Sequence, residues 1–230
     1  MRPVCRGPQP DGLDIKQWGD ALEGLVERIG DYCSYCEMPL PNGPQVEHVK
    51  PKKHFPEDAL NWENFLLACG YCNGTKKDNP QDDCSNYIWP DKDNPLVYLE
   101  YVPDAVPQIR ATSDQEGHVA ATLCMIGLTR DANSKPRATK KDVRWRKRRD
   151  AWWWALKQRQ NFQDYPEVFA SPAGRDLLKQ AVTKTGFFSV WMAAFSGIAE
   201  IQNLILSSFV GTATDCFDQN FEPLPRKKPE

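Results

Sequence analysis

Apolar positions divide the chain into a mixed first half and a helical second half. Ile15, Trp18, Leu22, Leu25, Val26 and Ile29 recur at helical spacing, which predicts an amphipathic helix over 14–29, closed by Gly30 just past its last turn. Pro39, Pro41, Gly43 and Pro44 hold the next stretch extended or looped. A short strand is expected at 46–49, where Pro51 ends it. Trp62, Phe65, Leu66 and Leu67 then carry an apolar cluster toward Cys69, and Asn73-Gly74-Thr75-Lys76 reads as the start of a short helix. Acids and prolines make 79–95 a loop. Val97, Leu99, Tyr101, Val102, Val106 and Ile109 predict strands joined by a turn at Pro103-Asp104, and 117–128 reads as one more strand leading to a helix start. Beyond it the pattern is helical. A strongly basic helix over 142–162 contains Trp152-Trp153-Trp154, and Ser171-Pro172 has the form of a helix entrance. The most apolar segment, 187–210, is interrupted by Glu200, Gln202 and Asn203, so it suits core helices or a partner-binding face and not a membrane span.

A chain of 230 residues allows one large domain or two small ones, with a core that needs no staple beyond a metal. Twenty-nine basic against 31 acidic side chains leave a net charge of −2, which excludes a global basic field. The distribution is uneven. Acids gather at Asp78, Asp82, Asp83, Asp91 and Asp93, whereas the basic run 135–149 is opposed only by Asp142. Such a run is either a phosphate-binding surface or a solvated helix face. The triple tryptophan is more often core plus interface than a base-stacking platform.

Candidate chemistry concentrates between two Cys-x-x-Cys pairs, Cys33/Cys36 and Cys69/Cys72, which bracket Glu47-His48. Four thiolates would hold one tetrahedral zinc, and the 37–68 spacer exceeds the roughly 15–20 residues of a plain zinc ribbon. Disulfides are the alternative use of eight cysteines, but Met1-Arg2-Pro3-Val4-Cys5 opens no apolar signal region, so an oxidising compartment is not implied and a cytoplasmic setting is expected. Cys5, Cys84, Cys124 and Cys216 stand alone as small apolar side chains. A phosphodiesterase needs an activated water and charge stabilisation on the phosphoryl oxygens. His48 can take the water's proton, Glu47 offers a hard oxygen to Mg²⁺ or Mn²⁺, and the Asn73 carbonyl offers a second. Lys50, Lys52, Lys53 and Lys76 are the candidate nucleic-acid contacts. His54 reads as an ordinary loop histidine and His118 has no role.

Cys33-Ser34-Tyr35-Cys36-Glu37, Val46-Glu47-His48-Val49-Lys50-Pro51, Asn64-Phe65-Leu66-Leu67-Ala68-Cys69 and Cys72-Asn73-Gly74-Thr75-Lys76 resemble the ββα-metal core of HNH endonucleases with a four-cysteine zinc. Met1-Arg2-Pro3-Val4, Gly30-Asp31-Tyr32-Cys33, the 122–130 segment and Gly186-Phe187-Phe188-Ser189 further resemble the PtuB family of HNH subunits in Septu-type anti-phage systems, including retron-associated ones. The resemblance implies an α+β fold: a zinc-stabilised ββα-metal nuclease core over 1–80, a loop and β segment over 81–130, and a helical, partner-binding region over 131–230. It makes Asn64 the asparagine that fixes the loop holding the base. It also implies a nucleic-acid substrate and a PtuA-like ATPase partner, with no membrane. Glu47 stands where many members have Asp, and Asn73 where a second His is common, which tilts the metal toward Mg²⁺ or Mn²⁺. The alternative is a zinc-stabilised binding module without cleavage. Retention of Glu47, His48, Asn64 and Asn73 argues against it. The apolar series from Phe187 to Phe209 is expected either to dock partly on the ATPase or to bury itself among the helices.

Overall fold

The computed structural model describes residues 1–41, 43–81, 83–103, 106–110 and 115–227. The first helix is shorter than its apolar spacing predicts. A 3-10 turn, Trp18–Ala21, precedes α1 (Leu22–Ile29). The Asp20 carboxylate accepts from the amides of Lys16 and Gln17 at 3.0 and 2.9 Å, so residues 14–17 form a capped approach to the helix. Gly30, at φ +72°, ends α1 in a backbone region that other residues rarely adopt.

Strand β1 (Gln45–His48) pairs antiparallel with β2 (Phe65–Ala68), Glu47 opposite Leu66 and His48 opposite Phe65. The Phe-Leu-Leu-Ala run of β2 is buried along its whole length, which anchors the hairpin in the core. Helix α2 (Gly70–Lys76) follows at once, starting three residues before the expected Asn73 because the Cys69 sulfur accepts from the Cys72 amide at its entrance. The ββα unit is thus complete by Lys76.

Next, a helical turn replaces the start of a predicted strand. Asn94 caps α3 (Pro95–Tyr98), its side chain accepting from the Leu96 amide at 3.2 Å with Pro95 at the first helical position. Among the described residues of this stretch, only β3 (Leu99–Glu100) and β4 (Gln108–Ile109) pair as strands. Asp104 of the expected turn lies outside the described residues. The strand expected over 117–128 is instead a helix, α4 (Glu116–Met125). Val119, Thr122 and Leu123 share its buried face, and the Thr122 hydroxyl donates to the His118 carbonyl one turn back while accepting from the Ile88 amide. Tertiary packing overrides the β preference of those branched side chains.

The last part is helical as predicted: α5 (Arg144–Asp164), α6 (Pro166–Ala170), α7 (Pro172–Thr185), α8 (Phe188–Ala194) and α9 (Ala199–Ser208). Ser171 caps α7 by accepting from the Gly174 amide at 3.0 Å. Phe187, Phe188, Trp191, Phe195, Ile201, Ile205 and Phe209 are buried within the chain. Of the two expectations for the apolar series, docking or mutual burial, the structure shows its helices largely covering one another, with Trp191 stacked on Phe195 at 6.2 Å. Exposed large apolar side chains lie elsewhere, notably Trp153 and Trp154.

These helices sit directly on the first zinc knuckle. At Gly186, φ +71°, a Cβ would lie 2.6 Å from Pro39 Cδ and 2.8 Å from the Glu37 carbonyl oxygen. The Phe187 amide donates to that carbonyl at 2.9 Å, and the Glu37 carboxylate accepts from Ser189. Arg2 ties the N-terminal stretch in the same way, donating to Ile29 O at 2.6 Å and Val210 O at 2.7 Å. No described helix is long and apolar enough to cross a membrane.

Candidate active site

Cys33, Cys36, Cys69 and Cys72 are buried, and their sulfurs all lie within 4.8 Å of one another. Cys36 Sγ and Cys69 Sγ are 3.8 Å apart. A tetrahedron with zinc–sulfur bonds of about 2.3 Å has edges of about 3.8 Å, so the cluster fits Zn²⁺. The Cys36 amide points at Cys33 Sγ at 3.5 Å and the Cys72 amide at Cys69 Sγ at 3.3 Å. Hydrogen bonds from Cys33, Cys36 and Cys72 pull the Cys69 thiol well down, whereas burial pushes Cys36 and Cys72 up. Zinc removes that conflict, because it holds all four as thiolates.

Strand alternation splits the remaining residues between two faces of the hairpin. Gln45 and Glu47 face α2, where Asn73 Nδ2 donates to Gln45 Oε1 at 2.9 Å and Lys76 Nζ lies 2.8 Å from Glu47 Oε1. Glu47 is buried, and burial raises its carboxyl above the usual range while the Lys76 ammonium opposes the rise. The short distance to Lys76 lacks good hydrogen-bond alignment, so Glu47 Oε1 accepts no directional bond. That carboxylate and the free Asn73 carbonyl are hard donors that fit Mg²⁺ or Mn²⁺ in kind, once the ammonium gives up its contact.

His48 sits apart from that pair, with its ring edge-on to Phe65 at 5.1 Å and to Trp18 at 6.2 Å. Its Nε2 is 3.0 Å from the Ala59 carbonyl, an acceptor only, which assigns the proton to Nε2 and leaves Nδ1 with a lone pair. Burial lowers its pKa; the Ala59 bond opposes that, and Lys52 and Lys76 add to it. Asn64 pins the loop that carries Ala59. Its Nδ2 donates to Lys50 O at 2.9 Å and Asp58 O at 3.0 Å, and its Oδ1 accepts from the Lys50 amide at 2.7 Å.

Residues 33–79 match the HNH endonuclease family model. Both knuckles, the hairpin and α2 fall inside that stretch, and the ββα unit with its four clustered cysteines is an HNH domain. Over 55 residues the chain is 40% identical to the Septu protein PtuB of Bacillus thuringiensis. The likeness covers 23% of this chain and only 21% of that protein. No solved structure matches the chain.

Within the HNH domain, the four lysines expected to meet phosphate are mostly engaged. Lys50 pairs with Asp58 at 2.7 Å, Lys53 with Asp78 at 3.3 Å, and Lys52 lies 3.4 Å over the Trp18 ring. Lys76 is fully buried on Glu47 and donates to the His48 carbonyl at 2.7 Å, so a phosphate cannot reach it as expected. One residue escaped sequence reasoning altogether. Arg144 Nη1 donates to Cys72 Sγ at 3.1 Å, while Asp142 holds the same buried guanidinium from the other side. The only sequence signal was Asp142, the lone acid in a basic run.

Proposed function

We propose that the chain is a metal-dependent endonuclease that hydrolyses nucleic-acid phosphodiester bonds, working as the effector of an anti-phage defence complex with an ATPase partner. The observation that carries this reading is the His48 imidazole, fixed through Nε2, with its Nδ1 bonded to nothing among the described residues. A water held at Nδ1 loses its proton to a neutral imidazole, and burial favours that neutral form. Asn64 keeps the Ala59 carbonyl in place, so the base keeps its tautomer and direction. Glu47 and Asn73 are the residues that would hold Mg²⁺ or Mn²⁺, and the ion would stabilise charge on the phosphoryl oxygens and the leaving alkoxide. The zinc site takes no part in the reaction; it fixes the two loops that carry the hairpin and α2. The likeness to a Septu protein supports the defence setting and the partner.

A second reading rests on the Lys76–Glu47 contact, which occupies the carboxylate and favours a zinc-stabilised binding module without cleavage. One experiment separates the two. Purified chain, alone and with a Septu-type ATPase, is incubated with labelled DNA and RNA in Mg²⁺. Cleavage by the parent, reduced about 10²- to 10⁴-fold in His48→Ala at unchanged zinc content, is the expected result. Equal cleavage by both chains would remove the proposed base, and no cleavage by either in any arm supports the binding module.

A further inference from the structure

Within the HNH domain Lys50 and Lys53 are paired and Lys76 is buried, which leaves Lys52 and Lys77 as the exposed lysines without an ion pair among the described residues. A denser set of unpaired cations stands on another element. Lys140, Lys141, Arg146, Lys147 and Arg149 are exposed and none forms an ion pair among the described residues, although Arg146 and Arg149 lie 6.0 and 5.5 Å from the centre of the Trp145 ring. Asp142, the acid inside the run, is taken up by Arg144. This basic segment is fastened to the nuclease core. The Tyr71 hydroxyl bonds Thr139 Oγ1 at 2.6 Å, and the Arg144 guanidinium lies 4.6 Å over the Tyr71 ring. Both contacts fall on α2, the helix that carries Asn73.

Along α5 the charge runs into aromatic surface. Arg146, Arg149, Trp153 and Lys157 recur at three- and four-residue spacing and so share one face. Of the three consecutive tryptophans, Trp152 is buried, whereas Trp153 is 62% and Trp154 47% exposed, their rings edge-to-face at 4.9 Å. A merely solvated face has no use for two large exposed indoles. Five cations followed by bare aromatic rings, with Asp150 the one exposed acid between Arg149 and Trp153, match the chemistry of an unpaired strand, which offers phosphates and uncovered base faces together. A duplex keeps its base faces covered.

We propose that this exposed face of α5, with the segment leading into it, binds single-stranded nucleic acid. Phosphates lie on the five cations and bases stack on Trp153 and Trp154. The proposal rests on the nuclease reading and names the form of its substrate. It places the strand on an element outside the stretch that matches the HNH family.

The test uses the full zinc-loaded chain carrying His48→Ala, without added divalent cation, and fluorescence anisotropy of labelled single-stranded DNA, single-stranded RNA and duplex DNA across a salt series. The expected result is tighter binding of a single strand than of duplex; whichever of DNA and RNA binds better identifies the source. Changing all five cations to Gln should reduce the slope of log K against log salt by about 3.5, at roughly 0.7 per phosphate contact. Trp153→Ala with Trp154→Ala should weaken single-strand binding about tenfold or more and leave duplex binding unchanged. All seven side chains are exposed, and unchanged zinc content and melting confirm that each variant is folded. An unchanged slope in the Gln variant overturns the proposal. So does full single-strand affinity in the Trp variant, and if that variant instead loses a co-purifying protein the indoles belong to a protein interface. Strand binding with the expected slope by a chain that cleaves nothing overturns the nuclease reading alone, whereas cleavage by a chain with an unchanged slope overturns this inference alone.

Discussion

Lys76 is held on two sides by the strand that carries the candidate base, at 2.8 Å from Glu47 and 2.7 Å from the His48 carbonyl. Removing one partner of such a buried pair leaves the other charge uncompensated. Lys76→Met should therefore cost about 3–5 kcal/mol, and Lys76→Met with Glu47→Gln should recover most of it. Urea denaturation of the four chains in a double-mutant cycle measures this; additive effects would show that the pair is not coupled. Arg144 has a similar place beside the zinc thiolates. Arg144→Lys retains a charge but cannot bond Cys72 Sγ, Ile126 O, Gly127 O and Asp142 together, so zinc should pass to a chelator about 10- to 100-fold more readily. Chelator competition at a temperature where both chains stay folded checks it, and equal zinc retention would make the Cys72 contact incidental. The spacing of Asn73 and Lys76 was legible in the sequence, but the direction of Lys76 was not. It depends on Glu47 facing α2, which only the packing of the hairpin decides. Arg144 was illegible for a simpler reason, since its sulfur partner lies 72 residues away in the chain.

At the scale of elements, two four-residue strands and a seven-residue helix make a unit too small to stand alone. Zinc joins its ends, and Cys69→Ser or removal of the metal should abolish the cooperative melt of the whole chain, because the C-terminal helices seat on the same knuckle. A zinc-free chain that melts like the parent would make the cluster dispensable. Gly186 is the other joint. An alanine there meets both an unfavourable φ and the Glu37 carbonyl at 2.8 Å, so Gly186→Ala should lower stability by about 2 kcal/mol or more in the same measurement. Capping chemistry made the start of α7 legible through Ser171-Pro172, whereas α5, expected from residue 142, begins at Arg144 after an N-cap, Val143, that no side chain caps. α4 was misread because Val119 and Thr122 look like strand residues, and only their shared burial with Leu123 makes the helical period visible.

Across the whole molecule, one core runs from Met1 to Phe217. Val4 bridges to Thr212, the Ala213 amide donates to Pro3 O at 3.0 Å, and Ser189 bonds Glu37 beside the zinc ligands. The apolar wealth of the C-terminal half was plain in the sequence. Whether a partner or the chain itself covered it was not, because composition counts apolar area without saying which faces meet. Here the chain covers it, so the C-terminal segment is part of what holds the nuclease core together. Deleting 187–230 removes Phe188, Trp191, Phe195, Ile205 and Phe209 from the centre of the core, and each large buried side chain is worth about 2–5 kcal/mol. That loss exceeds the ordinary stability of a domain this size. The truncated chain should fail to retain zinc and show no cooperative unfolding, whereas Trp153→Ala with Trp154→Ala should melt like the parent because both indoles face solvent. Zinc content and calorimetry on the three chains decide it. A truncated chain that binds zinc and melts cooperatively would show that the core closes without its C-terminal helices, and would return the apolar series to the role of a docking face. If the truncation unfolds as expected, the proposed ATPase partner can be tested only with the full chain, by co-purification, where a chain that stays monomeric beside the ATPase has no such partner.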